Sequence, residues 1–313
     1  MPSTVAIAGI TGKFSQCIIR ALQESPDVLI RGYCRSPHKL PRAILDSDQI
    51  EIIGGSFDDR ANIKRFVRGS DVVICCYFGQ PEVMTEGQKY LIDACEEENV
   101  PRYIPSDFAV DYTKIPHGVL FPKESAKVIM EYLKSRKVKG AHILTGGLME
   151  TFWSEFFGIW NPKMCSMSVW GSGEEVWELT TYQTAAAYTA AVALDKSAIG
   201  VFRFLGDRKS YKDIQEIFGR VYGVRLRLEY IGSISDLYKN VQEAYNRDNQ
   251  DVMGWAPNCF AYWCTNGQAY LGDNIDNERY PGIQATGLES FLKGHRLKDL
   301  DKADQLIGFT QPE

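Results

Sequence analysis

The chain has 313 residues, 44% of them hydrophobic and 24% charged, with a formal net charge of −5 at pH 7. That length suits one large α/β unit or one carrying a smaller lobe, and the acidic balance leaves no basic footprint for nucleic acid. No apolar run approaches the ~20 residues needed to span a bilayer, and Met1-Pro-Ser-Thr leads straight into a strand pattern instead of a secretory signal, so a cytoplasmic protein is expected.

The first element sets the reading. Val5-Ala-Ile-Ala is a short apolar run that turns through Gly9-Ile-Thr-Gly12 into an amphipathic pattern near residues 15–24. A strand, a tight glycine turn and a helix N-terminus form the arrangement that cradles a pyrophosphate. Amide N–H groups and the positive end of the helix dipole favour the anion, and glycine lets the backbone approach it. A turn also uses glycine for its angles alone; following a buried-type strand at the head of the chain, this one reads as a dinucleotide turn. A phosphate loop of the NTPase kind does not fit, because two residues separate the glycines and Phe14 follows Lys13. The third small position is Ser15, whose hydroxyl is a candidate phosphate contact.

Further strands are expected at 28–34, 50–53, 72–76, 102–104 and 141–145, with helices near 60–68, 85–98 and 123–135 between them. Strand–helix alternation with short connections predicts a doubly wound parallel sheet, the Rossmann arrangement, over residues 1–150. Residues 151–313 read mainly as a smaller substrate-binding lobe with segments returning to the sheet. Helices are expected at 184–194 and 210–222, a helical run ending at 245–247, and a loop from there to Tyr280, where Gly, Asn and Pro recur. The eight cysteines form no C-x-x-C pair and sit in apolar runs, as reduced thiols do. The four histidines lack ligand spacing, and no metal is expected.

Strand ends then supply the candidate cofactor contacts. The glycine turn gives Gly9, Thr11, Gly12, Lys13 and Phe14; the second strand ends in Arg35 with Lys39 one turn on. An acidic residue near that strand end would suit the ribose 2′-hydroxyl of NAD, whereas a cation suits the 2′-phosphate, so NADP(H) is the expected cofactor. Ser56 and Phe57 follow the third strand, and Cys76, Tyr77 and Phe78 lie at the end of the fourth. Pro105, Ser106, Asp107 and Phe108 follow the fifth.

The glycine turn, Tyr103-Ile-Pro-Ser-Asp-Phe108 and the lysine-bearing helix after it resemble the NmrA-like proteins, including the isoflavone reductase-like enzymes, atypical relatives of the short-chain dehydrogenases. The likeness continues through Leu144-Thr-Gly-Gly, Trp170-Gly-Ser-Gly, Tyr188-Thr-Ala-Ala and Leu205-Gly-Asp, and so covers most of the chain. It implies a lysine near the nicotinamide acting as general acid/base or orienting the cofactor ribose. Lys127 is the first candidate and Lys123 the second; four apart, they would share a helical face. A desolvated lysine has a lowered pKa and becomes a usable acid near neutrality. The chain has no Tyr-x-x-x-Lys, so the ordinary tyrosine relay of short-chain dehydrogenases is not expected. Ser15 and Thr184 depart from the family pattern, which usually has glycine and an acidic residue there.

Aromatic residues crowd the second half. Met149, Phe152, Trp153, Phe156 and Trp263 are the candidate substrate contacts, set against the plainer reading of core packing. The leading expectation is an NADPH-dependent reductase of an aromatic or conjugated small molecule (a C=C, C=O or C=N bond) in specialised metabolism. The alternatives are a cofactor-sensing regulator without turnover and a cyclase or condensing enzyme on the same scaffold.

Overall fold

The computed structural model describes residues 2–305 and 307. Six strands alternate with helices in its first half: β1 (Ser3–Ala8), β2 (Val28–Cys34), β3 (Ile50–Gly54), β4 (Val72–Cys75), β5 (Arg102–Ile104) and β6 (Lys139–Leu144). The helices are α1 (Lys13–Gln23), the single turn α2 (Arg42–Leu45), α3 (Arg60–Val67), α4 (Pro81–Glu97) and α5 (Glu124–Lys134). Apolar side chains alternate across the sheet. Val5 and Ile7 of β1 pack under α1 with Ile18, Ile19 and Ile74. Ala6 and Ala8 point the other way, into a core with Ile63 and Phe66 of α3, Leu91 and Ile92 of α4 and Ile129 of α5. Strands buried on both faces read as continuous apolar runs, which is how the sequence shows them.

The second half continues with β7 (Gly147–Leu148), α6 (Met149–Trp153), β8 (Trp160–Asn161), β9 (Ser166–Trp170), β10 (Val176–Thr180), α7 (Tyr182–Leu194), β11 (Gly200–Arg203) and β12 (Asp207–Ser210). Then come α8 (Tyr211–Tyr222), β13 (Arg227–Gly232), α9 (Ile234–Arg247), α10 (Val252–Thr265) and α11 (Leu288–Lys293). β11 joins the main sheet beside β6, giving the order β11-β6-β5-β4-β1-β2-β3 with every pairing parallel. This is the doubly wound Rossmann order. α7 packs on α1, its Ala186, Ala190 and Ala193 buried in the same core as Ile18. The remaining strands form two three-stranded sheets, β12-β10-β7 and β13-β9-β8, over a core of Phe152, Trp153, Trp177 and Phe218.

Two polar devices tie the halves together. Buried Arg102 on β5 donates to the carbonyls of Val192 (2.9 Å), Ala193 (2.5 Å) and Asp195 (2.8 Å), so its guanidinium finishes the C-terminus of α7. The outer edge of β11 is closed by the chain's last third: Arg203 N–H donates to Asp276 Oδ2 and Asp276 N–H returns to Arg203 O, each at 2.7 Å.

One expectation fails here. The stretch from 245 to 280 is not all loop, because α10 runs through it with Pro257 inside. Trp255, Cys259 and Trp263 recur at a spacing of four and are buried, and that burial outweighs the proline.

Candidate cofactor and active site

Parallel strands present all their carboxyl ends on one edge, and the order reverses between β1 and β4, where an open α/β sheet forms its crevice. The glycine turn lies at that point. Gly9 has φ +82°, and a Cβ there would sit 2.7 Å from the carbonyl oxygen of Cys76, so the close approach of β1 and β4 admits only glycine. Gly12 is the N-cap of α1 with no side chain capping it. The first-turn amides of Lys13 and Phe14 therefore have no intrahelical acceptor, which suits a diphosphate. Ser15 does not serve as the phosphate contact considered from sequence: it is fully buried and its hydroxyl donates to Gly9 O at 2.7 Å, pinning the turn from within.

Thr11, Gly12 and Lys13 are exposed along the rim, Lys13 paired with Asp304 at 3.0 Å. Arg35 and Lys39 are exposed where β2 ends, Lys39 closing the single 3-10 turn Pro37–Lys39. Ser56 takes the Tyr33 hydroxyl on its carbonyl at 2.7 Å, and Phe57 lies against Gly87 of α4. The ring of Tyr77 lies against Gly9 and Gly87, within reach of the charge of Arg35. Its hydroxyl is buried without a partner among the described residues, and burial pushes the phenol above its ordinary range. Phe78 is 93% exposed.

The fifth strand end is the most tightly held part of this edge. Pro105 is buried; Ser106 donates its hydroxyl to Tyr77 O at 2.7 Å and its N–H to Gln88 Oε1 at 3.2 Å. Asp107 is buried with its Oδ2 2.8 Å from His142 Nδ1. Phe108 has φ +26°, uncommon for a residue with a side chain, and its ring meets Phe14 edge-on at 4.5 Å. The turn thus joins the glycine turn on one side to β6 on the other.

The two lysines do not share a face. Lys123 ends a 3-10 turn (Phe121–Lys123) before α5, and its ammonium donates to the carbonyl of Asp107 at 2.5 Å. Burial lowers its pKa to about 8 against the opposing pull of Asp107. Lys127 is buried but turned to Pro116 O and Glu124 Oε1, each at 2.7 Å, away from the strand end. Of the two candidates, Lys123 is the one whose ammonium reaches the turn after β5.

Most of the expected substrate contacts are core. Met149, Phe152 and Trp153 are fully buried and Trp263 nearly so. Phe152, Phe156 and Trp160 recur at a helical spacing in the sequence but form no helical stripe, because α6 ends at Trp153 and Trp160 starts β8. Phe156 alone stays half-buried, against Phe157 and Phe260. The aromatic group beside Lys123 in sequence is another one: half-buried Phe121 stacks on half-buried Tyr245 with centroids 3.9 Å apart, and buried Trp255 stands edge-on to both. Sequence reasoning missed His142 and Glu150. Glu150, in the first turn of α6, takes the Tyr182 N–H on both carboxylate oxygens, at 3.1 and 3.0 Å, and burial pushes its pKa up to about 7. Both lie in apolar runs, where a lone ionisable residue is the one available signal. Among the described residues no cluster of metal-ligating side chains occurs, and no helix is long and apolar enough to cross a membrane.

A switch-point cradle shaped for a diphosphate, on a seven-stranded parallel sheet with its own lobe, defines a Rossmann-class protein. A family model, that of the NmrA-like family, matches residues 1–253, and the chain belongs to that family. It is 26% identical over 195 residues to the oxidoreductase aprR of Aspergillus flavus, covering 59% of this chain and 61% of that protein. It is 35% identical over 74 residues to the oxidoreductase ordB of Dothistroma septosporum, covering 23% and 28%. The chain thus spans less than two thirds of the length of these curated relatives. Among solved structures its fold resembles isoflavone reductase, with TM-score 0.79 at 16% identity over 94% of this chain and 99% of that one. A leucoanthocyanidin reductase of Vitis vinifera in complex with NADPH gives 0.78 at 15% identity, over 93% and 99%.

Proposed function

We propose that this chain is an NADPH-dependent reductase of an aromatic or conjugated small molecule. The observation that carries the reading is Lys123: an ammonium with a pKa lowered to about 8, held at the carboxyl end of β5 on the edge that carries the diphosphate cradle. The names of the curated relatives and the NADPH held by a reductase of the same fold support it. The residues present fit the cofactor: α1 opens at the switch point with no side chain capping its first amides. NADPH supplies a hydride when bound. Lys13 and Phe14 would take the diphosphate on their backbone amides, the Gly12 N–H being spent on Gly9 O, and Arg35 with Lys39 would take the 2′-phosphate. Phe78, with the half-buried Phe121 and Tyr245, offers flat apolar surface to the acceptor, and Lys123 gives the proton.

The test begins with titration of NADPH, NADP⁺, NADH and NAD⁺ against tryptophan fluorescence, where the phosphorylated pair is expected to bind at least about tenfold more tightly. Aromatic enones, ketones and imines are then screened for NADPH oxidation. Lys123→Ala should lower turnover with NADPH binding retained. Wild-type turnover should fall as pH rises through about 8, since the donor must keep its proton. Full turnover by Lys123→Ala overturns the assignment of the lysine. Tight NADPH binding without oxidation across the panel would instead favour a cofactor-reading regulator.

A further inference from the structure

We propose that His142 is a positioning residue for Lys123, acting through Asp107 to hold in place the peptide whose carbonyl receives the lysine ammonium. The inference rests on the reading of Lys123 as proton donor and adds a residue outside the cofactor edge.

One peptide plane links the two residues. The oxygen that takes the Lys123 ammonium belongs to the peptide between Asp107 and Phe108. The same peptide sets the φ of Phe108, which is +26°. A residue with a side chain held at such an angle is strained and needs its surroundings to keep it there. Rotating this peptide plane would return Phe108 to negative φ, and it would also swing the Asp107 carbonyl away from Lys123. Relief of strain and loss of the lysine's acceptor are one movement.

What opposes the rotation is the grip on either side. The Phe108 ring bears on Phe14, and Ser106 is tied to Tyr77 and Gln88. Asp107 itself is held by its carboxylate: Oδ2 lies 2.8 Å from Nδ1 of His142, with the Tyr112 hydroxyl 3.4 Å from the same nitrogen. Asp107 Oδ1 is buried without a hydrogen-bond partner among the described residues, so the carboxylate is held on its other side, by His142 with the Tyr112 hydroxyl beside it. His142 comes from the middle of β6, 6% exposed and flanked by the apolar Ala141 and Ile143, a rigid place from which to hold a turn. Other titratable groups around the turn are accounted for. Burial raises Tyr103, Tyr112, Cys75 and Cys259, keeping all four neutral near pH 7. Asp111 is met by Arg203 and Lys114, and Glu124 by Lys127 and His117. Asp107 is the charge that Lys123 faces.

The experiment reads Lys123 directly and needs no substrate. Protein labelled with ¹³C at lysine Cε is titrated by NMR, with the Lys123 signal assigned through Lys123→Arg. In the wild type the midpoint is expected near 8. In His142→Phe the turn is released, the ammonium regains water or the freed carboxylate, and the midpoint should rise above about 9.5, toward the ordinary lysine range. His142→Asn, whose side-chain amide reaches the same carboxylate oxygen, should restore a midpoint near the wild-type one. Adding Phe108→Gly to His142→Phe removes the strain that drives the rotation and should bring the midpoint back down. A folded His142→Phe variant with an unmoved midpoint overturns the proposal. Should that variant not fold, His142→Gln, whose amide lands one bond too far, is read in its place with the same two outcomes. Failure of the catalytic reading looks different: Lys123→Ala would keep turnover while the midpoints still moved with His142.

Discussion

Arg35 stands exposed where β2 leaves the sheet, with Lys39 one short turn further on. If it takes the 2′-phosphate, Arg35→Ala should remove charge-assisted bonds of about 1.5–3 kcal/mol, roughly ten- to a hundredfold in affinity. NADPH binding should weaken by that factor and NADH binding should hardly change; equal losses would refute the role. Glu150 makes a pH prediction of the opposite kind. Burial raises its folded pKa to about 7, above the ordinary carboxyl value of 4.5, so the folded protein binds this proton more tightly than the unfolded chain does. Its contribution is therefore greatest below about pH 4.5 and is lost as pH rises through 7, a span of about 3 kcal/mol. Glu150→Gln keeps an acceptor for the Tyr182 N–H without the charge. It should raise the melting temperature at pH 8 and flatten its decline between about pH 5 and 8; a slope equal to the wild type's would exclude Glu150 as its source.

Among the elements, α7 is the one most dependent on a distant residue. Its last carbonyls are closed by the Arg102 guanidinium from β5, and burial lowers the pKa of that arginine, so the cation stays buried because three oxygens receive it. Arg102→Met should leave those carbonyls unpaired and cost about 3 kcal/mol. A urea midpoint within error of the wild type would show that water replaces the guanidinium. How far the elements were legible follows from the same physics. β1 to β6 are apolar runs between helical periods, a signal contained within each segment, and they lie where the sequence places them. α7 begins two residues earlier than the period suggested, because Thr181 caps it and Tyr182 belongs to its first turn. α10 was hidden by Gly254, Pro257 and Asn258, which read as breakers until the burial of Trp255, Cys259 and Trp263 is known. The carboxyl edge of the sheet was readable since each strand end carries its own residues in sequence. The Asp107–His142 contact was not, because it joins positions 35 apart through burial that no local pattern reports.

At the scale of the whole molecule, the lobe is not a second half appended to a first. The chain leaves the sheet after β6, returns for α7 and β11, leaves again, and comes back a last time to close β11 with Asp276 and to set Asn277 against Leu205 at 3.0 and 2.8 Å. Ending the chain at residue 253 would remove α10 and this closing segment together. Such a protein should be insoluble or lack a cooperative melt, and a soluble, NADPH-binding fragment would show that the closing segment is dispensable. The interleaving also bears on how relatives of this fold exchange specificity. A recombinant with one crossover near the middle would take α1 from one parent and its packing partner α7 from another, so two helices matched over generations would meet as strangers. If the lobe sets specificity, its unit is a pair of excursions, about 145–180 and 205–275, and a useful chimera exchanges both while leaving α7 and β11 with the parent that supplies the sheet.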